Sequence, residues 1–277
     1  MLSNDLQELS LKQLLKTLKA LEEAGMTPNM LAFVRSDKAI AVEIVNLLID
    51  KMMPYKADQE LFSCFRSEEF FGLSDWKKYY RLNLPEDISL PIPIVELEKI
   101  MNSTCPFNRD KKVRETHFLF YLPANYKKEP VSIKKLMEIF PKDSDPRFYQ
   151  YLDKYNGCKR KLYDTCVTRY EWLLMYKGVI PNSSNKSFSE QLALKPKGYE
   201  VPKLIESTAM HFLLFKKNKL RVDETKWGRT CDTGAIKVSH FSAGGFSEEG
   251  YSITMDEKDD ARESNLGIYF FRKLEKV

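Results

Sequence analysis

The residues with the widest chemical range are few. The 277-residue chain has three histidines (His117, His211, His240) and five cysteines (Cys64, Cys105, Cys158, Cys166, Cys231). Zinc sites gather Cys and His at short regular spacings. No C-x-x-C pair occurs here, so a metal site would need ligands from distant segments and none is expected. The odd number and wide scatter of the cysteines weigh against a disulfide framework. Cys231 and His240 could in principle supply a thiol nucleophile and its base. No Asn or Asp stands out to orient that histidine, and a buried cysteine beside a structural histidine is the weightier reading. Asp256, Asp259 and Asp260 bring together carboxylates suited to a hard cation. They lack the glycine and spacing of an EF-hand loop, so they read as a solvated acidic loop. Ser242-Ala-Gly-Gly-Phe246 is glycine-rich but lacks the Gly-Lys-Ser/Thr of a phosphate loop, which leaves a tight turn. No catalytic residue, cofactor or metal ligand is therefore assigned.

Charge narrows the partners. The net charge is +5, yet the window Glu248–Glu263 alone carries -5, leaving +10 on the rest. The basic residues are spread out, with only small groups at Lys111-Lys112-Val113-Arg114 and Lys159-Arg160-Lys161. They read as solvated faces, which weighs against nucleic acid as a partner. No stretch approaches the roughly 20 apolar residues that span a bilayer. The opening Met-Leu-Ser-Asn-Asp lacks a basic region followed by an apolar run. A cytoplasmic location without membrane association is expected.

The elements that must position these residues emerge from periodicity. Leu6, Leu9, Leu11, Leu14, Leu15, Leu18 and Leu21 form one helical stripe, and Gly25 is placed to end it. Thr27 and Pro28 read as the N-cap and first residue of a second helix. A third helix is expected from Asp37 to Met53, closed by Pro54. Residues 54–100 are mixed and dense in aromatics (Phe62, Phe65, Phe70, Phe71, Trp76, Tyr79, Tyr80), best read as core contacts with the downstream domain. Pro85, Pro91 and Pro93 suggest a boundary near residue 90. Beyond it, His117–Leu122 and Tyr170–Met175 read as strands. Ser132–Phe140 and Phe188–Leu194 read as helices, and Asn182–Asn185 as a turn. Tyr199-Glu200-Val201 is extended and leads through Pro202 into a helix with Leu204, Ile205, Thr208, Ala209, Phe212 and Leu213 on one face. His211 lies beside that face. The glycine-punctuated stretch 227–274 reads as a tight β-rich unit, and the polar segment Ser247–Asn265 as a surface loop.

Three stretches carry a resemblance. They are Trp172-Leu-Leu-Met-Tyr-Lys-Gly-Val-Ile-Pro-Asn-Ser-Ser-Asn-Lys-Ser, Gly198-Tyr-Glu-Val-Pro-Lys-Leu-Ile-Glu-Ser, and a third running from Trp227-Gly-Arg-Thr-Cys through Ser242-Ala-Gly-Gly-Phe to Ser264-Asn-Leu-Gly-Ile-Tyr-Phe-Phe-Arg-Lys. Over roughly residues 100–277 they resemble uncharacterised bacterial proteins with a C-type-lectin-like ending. This is the fold of formylglycine-generating enzymes (sulfatase-modifying factors) and of the variable proteins of diversity-generating retroelements. The resemblance implies an α+β protein: an N-terminal helical module (1–90), then a C-type-lectin-like domain (91–277) with a small twisted antiparallel sheet. It implies a fixed frame at Trp227, Gly244, Gly245, Phe246, Leu266, Gly267, Arg272 and Lys273. It also implies a ligand-binding surface drawn from Glu248, Glu249, Tyr251, Ser252, Thr254, Asp256, Lys258, Asp260, Arg262, Glu263, Asn265 and Tyr269, with Ser264 beside them. The expected function is non-catalytic recognition of a protein or other macromolecular ligand. The alternatives are an enzyme of the sulfatase-modifying-factor fold, or an adaptor acting through the N-terminal helices. The enzymes of that fold hold copper with a cysteine pair near the C-terminus, whereas the last 50 residues here contain Cys231 alone.

Overall fold

The computed structural model describes Lys19, residues 23–40, 42–43, 54–141, 143–149, 171–233 and 239–274, without the side chains of 255–257. The chain divides into two compact units, residues 1–53 and 54–277.

In the first unit, helix α1 (Pro28–Ser36) starts where Thr27 Oγ1 accepts from the Met30 amide and proline occupies the first turn. Gly25 takes φ +90°, a left-handed conformation that costs glycine little. Asp37 opens the next helical stretch by accepting from the amides of Ala39 and Ile40. The leucine stripe and most of the third expected helix lie outside the described residues.

The second unit is a mixed α+β body. Its elements are α2 (Lys56–Cys64), β1 (Phe70–Phe71), α3 (Leu73–Tyr80), α4 (Ile94–Asn102), β2 (His117–Leu122), α5 (Ile133–Ile139), β3 (Glu171–Tyr176), α6 (Phe188–Leu192), β4 (Tyr199–Glu200), α7 (Leu204–Asn218), β5 (Trp227–Thr233), β6 (Ser239–Ser247), β7 (Gly250–Lys258), β8 (Leu266–Ile268) and β9 (Phe271–Arg272). One five-stranded sheet has the order β1-β2-β3-β9-β4, and a four-stranded sheet the order β7-β6-β5-β8. The expectation of a purely antiparallel sheet is corrected in both. β1 runs parallel to β2, and β8 runs parallel to β5. Both parallel partners are short strands reached by long crossovers, as parallel pairing requires.

The boundary expected near residue 90 is also corrected. Phe70 and Phe71 pair with Leu119 and Phe120. The fully buried Trp76 donates its indole N–H to the Tyr121 carbonyl at 2.8 Å. Two largely buried ion pairs add to this: Glu69 with Arg114 at 2.8 Å, and Asp75 with Lys217 at 2.7 Å. The aromatics of 54–90 are thus part of one core with β2 and α7, and the prolines at 85, 91 and 93 mark only a surface connection within it.

Helix α7 is the central support of this unit. Every residue from Leu204 to Phe215 is buried, which its apolar face alone did not suggest. Two polar members of that run, Ser207 and His211, find partners inside the protein. Ser207 Oγ donates to the Leu204 carbonyl. His211 Nδ1 donates to the Ser207 carbonyl at 2.8 Å, and its Nε2 lies 3.1 Å from Asp223 Oδ2. Pairing of this kind is what lets polar groups enter a core without a large penalty.

Candidate functional site

The polar segment after Ser247 is not a loop throughout. Glu248 and Glu249 form the two-residue turn of a β-hairpin in which Ser247 pairs with Gly250 and Ser239 with Lys258. Residues 250–258 are its second strand, β7, at the edge of the four-stranded sheet. Alternation along that strand decides which side chains are available. Tyr251 and Ile253 point into the core, while Ser252 and Thr254 are half-buried.

Tyr251 and Tyr269 are therefore corrected from display to core, since both are fully buried. They stand around His211, with ring centroids 5.0 and 5.3 Å from it. The Tyr269 hydroxyl donates to the Ala243 carbonyl at 2.7 Å and lies 3.2 Å from Asp223 Oδ2. Burial, the largest cause, pushes both phenols well above their ordinary pKa, so they stay neutral donors. Gly228 exists beneath Tyr269 because a Cβ there would overlap the ring. Thr254 is also committed, its hydroxyl 2.5 Å from that of Ser242 across the hairpin. The side chain of Asp256 lies outside the described residues.

The remaining expected residues fall into two exposed groups, Glu248 and Glu249 at the hairpin turn, and Lys258, Asp260, Arg262, Glu263 and Ser264 beyond the far end of β7. Asn265 is half-buried. Nine steps of strand separate Glu249 from Lys258, roughly 30 Å at the usual rise. The two groups cannot form one small pocket.

What holds them is the main chain. Arg147 donates from Nη2 to the Glu248 carbonyl at 3.1 Å and from Nε to the Glu249 carbonyl at 3.2 Å. At the other end Arg229, a fully buried guanidinium, donates to the carbonyls of Lys258 at 3.0 Å and Ala261 at 2.8 Å. It also reaches Lys186 O and Gln191 Oε1. Further amides complete the set: Phe188 N–H to Asp259 O, Asn185 N–H to Glu263 O, and Trp227 N–H to Asn265 O, all at 2.8 to 2.9 Å. Two side chains in the stretch do bond inward or sideways. Asp259 sits 2.6 Å from His240 Nδ1, and Arg262 pairs at the surface with Glu190 at 2.7 Å.

Two of the expected frame glycines sit where a side chain would collide. Gly245 takes φ +56°, and a Cβ on it would lie 2.5 Å from the Trp227 indole. Gly267 would drive a Cβ into Ser183 and Val179. Phe246 and Leu266 are buried, whereas Lys273 is exposed and paired with Glu200. Arg147 and Arg229, which matter most for the geometry, were missed from sequence. Arg229 sits between two buried neighbours in an interior strand, and a cation flanked by Gly228 and Thr230 in such a strand is the signal that could have flagged it.

The candidate chemistry at Cys231 and His240 is not assembled as a nucleophile and base. His240 instead stacks on Phe188, with ring centroids 3.8 Å apart. Cys231 is exposed rather than buried as expected; partial desolvation of its thiol, with the charges of Asp232 and Glu206, raises its pKa, the opposite of an activated thiolate. Among the described residues no group of three or more His, Cys, Asp or Glu is placed to hold a metal ion, and no helix is long and apolar enough to cross a membrane. Comparison with protein-family models, with curated proteins and with solved structures finds no match. The class defined by the fold is that of an α+β protein with a C-terminal hairpin whose turn, Glu248-Glu249, is exposed.

Proposed function

We propose that this protein is a non-catalytic recognition protein that presents the exposed side chains of Glu248, Glu249, Lys258, Asp260, Arg262 and Glu263 to a macromolecular ligand, in the manner of a C-type-lectin-like variable protein. One observation carries the reading. The frame grips this segment through seven carbonyl oxygens, those of residues 248, 249, 258, 259, 261, 263 and 265. A backbone carbonyl is present whatever the side chain, so the anchoring survives substitution at the exposed positions. A surface that must change while its support stays fixed needs this separation. The roughly 30 Å between the two exposed groups suits a protein-sized partner, since standard interfaces bury about 800 Å² on each side.

The test is simultaneous randomisation of those six positions. Most variants should melt cooperatively within a few degrees of the parent, and selection against an arbitrary folded protein should yield binders that use these positions. A library in which most members fail to fold would overturn the reading. The retroelement part of the proposal has its own check: a reverse transcriptase gene and a near-copy of the codons for this segment in neighbouring DNA.

A further inference from the structure

A cleft of about 480 Å³ opens beside the strands β3, β4 and β9 and the start of α7. It takes no part in the recognition surface above. Trp172, Phe271 and Leu274 give it apolar walls, and the Trp172 indole N–H is already used on the Ser89 carbonyl at 3.2 Å. Five charged side chains line it: Glu171, Glu200, Glu206, Lys203 and Lys273. Lys273 pairs with Glu200 at 2.7 Å. Glu206 is only 8% exposed. Its Oε2 accepts from the Lys203 amide at 2.7 Å, and among the described residues no donor reaches its Oε1. A concavity with both apolar walls and charged side chains, and a buried carboxylate among them, suits a small molecule that carries an apolar body and a charge.

We propose that this cleft binds an organic monocation with an apolar body, such as an aralkyl ammonium group, with Glu206 meeting the charge and the Trp172 and Phe271 rings covering the body. A cation near an aromatic face gains from the ring quadrupole, and an ammonium donor supplies the hydrogen bond that Oε1 lacks. Burial raises the Glu206 pKa to about 7, with Glu171 and Asp232 adding to the rise and the Lys203 amide and charge opposing it. The groups facing Glu206 are these three and Cys231, whose thiol the same carboxylates help keep protonated. Asp232 is itself held by the Leu204 amide at 2.6 Å. The raised pKa keeps part of the Glu206 population protonated near neutrality. An incoming cation stabilises the carboxylate and releases that proton, so affinity rises with pH.

The experiment is calorimetric titration of the full chain with phenethylammonium, which stays charged at pH 6 and pH 8, alongside 2-phenylethanol and phenylacetate. Saturable binding of the amine is expected, tighter by about tenfold at pH 8 than at pH 6 as the ionised fraction of Glu206 grows, with proton release that scales with buffer ionisation enthalpy. Glu206→Gln keeps an acceptor for the Lys203 amide. It should abolish the pH dependence and weaken binding about tenfold or more. Carboxyl carbon NMR of the parent protein gives an independent reading: the Glu206 titration should move to lower pH when the amine is bound. Tighter binding of phenylacetate would mean an anion site at Lys203 and Lys273. Equal binding of the alcohol would mean an apolar cleft without charge selection. Either result, no saturable binding of any probe, an unmoved Glu206 titration, or an unaffected Glu206→Gln variant would overturn the proposal.

Discussion

The two sheets hold their residues by different means. In the five-stranded sheet the side chains are the fastening. All six residues of His117–Leu122 are buried, and Phe118, Leu119 and Phe120 on β2 face Met175, Leu174 and Leu173 on β3. His117 is wedged among Phe107, Tyr176 and Tyr199. At the hairpin turn Glu248-Glu249 and in the stretch 258–265, the fastening is the carbonyl row and the exposed side chains are left over. Substitution should therefore be strongly destabilising in the first region and close to neutral at the exposed positions of the second.

The sharpest break of that comparison is a pair of truncations. A chain starting at Pro54 should retain a cooperative melt. One starting at residue 91 should not fold, because it lacks β1, the Trp76 anchor and both ion-pair partners of Arg114 and Lys217. Denaturant unfolding followed by circular dichroism decides it, and a folded 91–277 fragment would show that the first-sheet fastening is dispensable.

Next in size is Arg229→Met, which removes a buried side chain on which the carbonyl row depends. Leaving three partly buried carbonyls and the buried Gln191 Oε1 without this donor should cost about 3–5 kcal/mol in urea unfolding. A loss below about 1 kcal/mol would mean that the amides of Phe188, Asn185 and Trp227 suffice.

A pH test probes the side-chain-fastened region. Burial, the largest cause, pushes His117 down to about pKa 3, with the charges of Lys177 and Arg272 acting in the same direction. The unfolded chain therefore binds a proton near pH 6.5 that the folded chain refuses. The stabilisation is complete above about pH 6.5 and is lost as pH falls toward 3, amounting to about 2–4 kcal/mol between pH 7 and pH 4. Glu206, raised to about 7, acts with the opposite sign between its ordinary value and 7, so the His117 contribution is isolated by comparison with a Glu206→Gln background. Imidazole NMR of the folded protein should show His117 neutral throughout pH 7.5 to 5; a titration near 6.5 would sink the assignment.

The smallest expected effects are at the displayed positions. Alanine at Glu248, Lys258, Asp260 or Glu263 should shift stability by about 0.5 kcal/mol or less. Gly245→Ala is the contrast a few residues away, at about 1–3 kcal/mol, since it combines φ +56° with a collision against Trp227. Thermal melts of the set would blur the comparison if the two classes overlapped.

Much of the five-stranded sheet was legible because its signals are local. The apolar run ended by Pro123 gave β2 with its true bounds. Ser132 does cap α5, and the turn at 182–185 shows in the positive φ of Asn182 and Asn185. Leu204, Phe212 and Leu213 are buried as their spacing predicts. The hairpin was harder to see. Tyr251 and Ile253 do alternate with Ser252 and Thr254, but the charge density from Asp256 onward masked a strand of period two. The turn Glu248-Glu249 also lacks the Asn-Gly or Asp-Gly dipeptide that announces a two-residue hairpin. Pairs that act at long range, such as Asp75 with Lys217, left no local trace.

The strand order bears on how such a protein is made. β9, at residues 271–272, lies inside the five-stranded sheet between β3 and β4, and pairs with both. During synthesis, strands finished long before must wait with open edges until the segment after residue 265 has been translated. A stop codon or a shift of reading frame anywhere in the codons for 248–265 deletes β9 and leaves β3 and β4 unjoined, a state prone to aggregation and disposal. Placing the closing strand downstream of residues 248–265 makes completion of the fold a check on the message itself: only chains translated in frame to the end complete the five-stranded sheet.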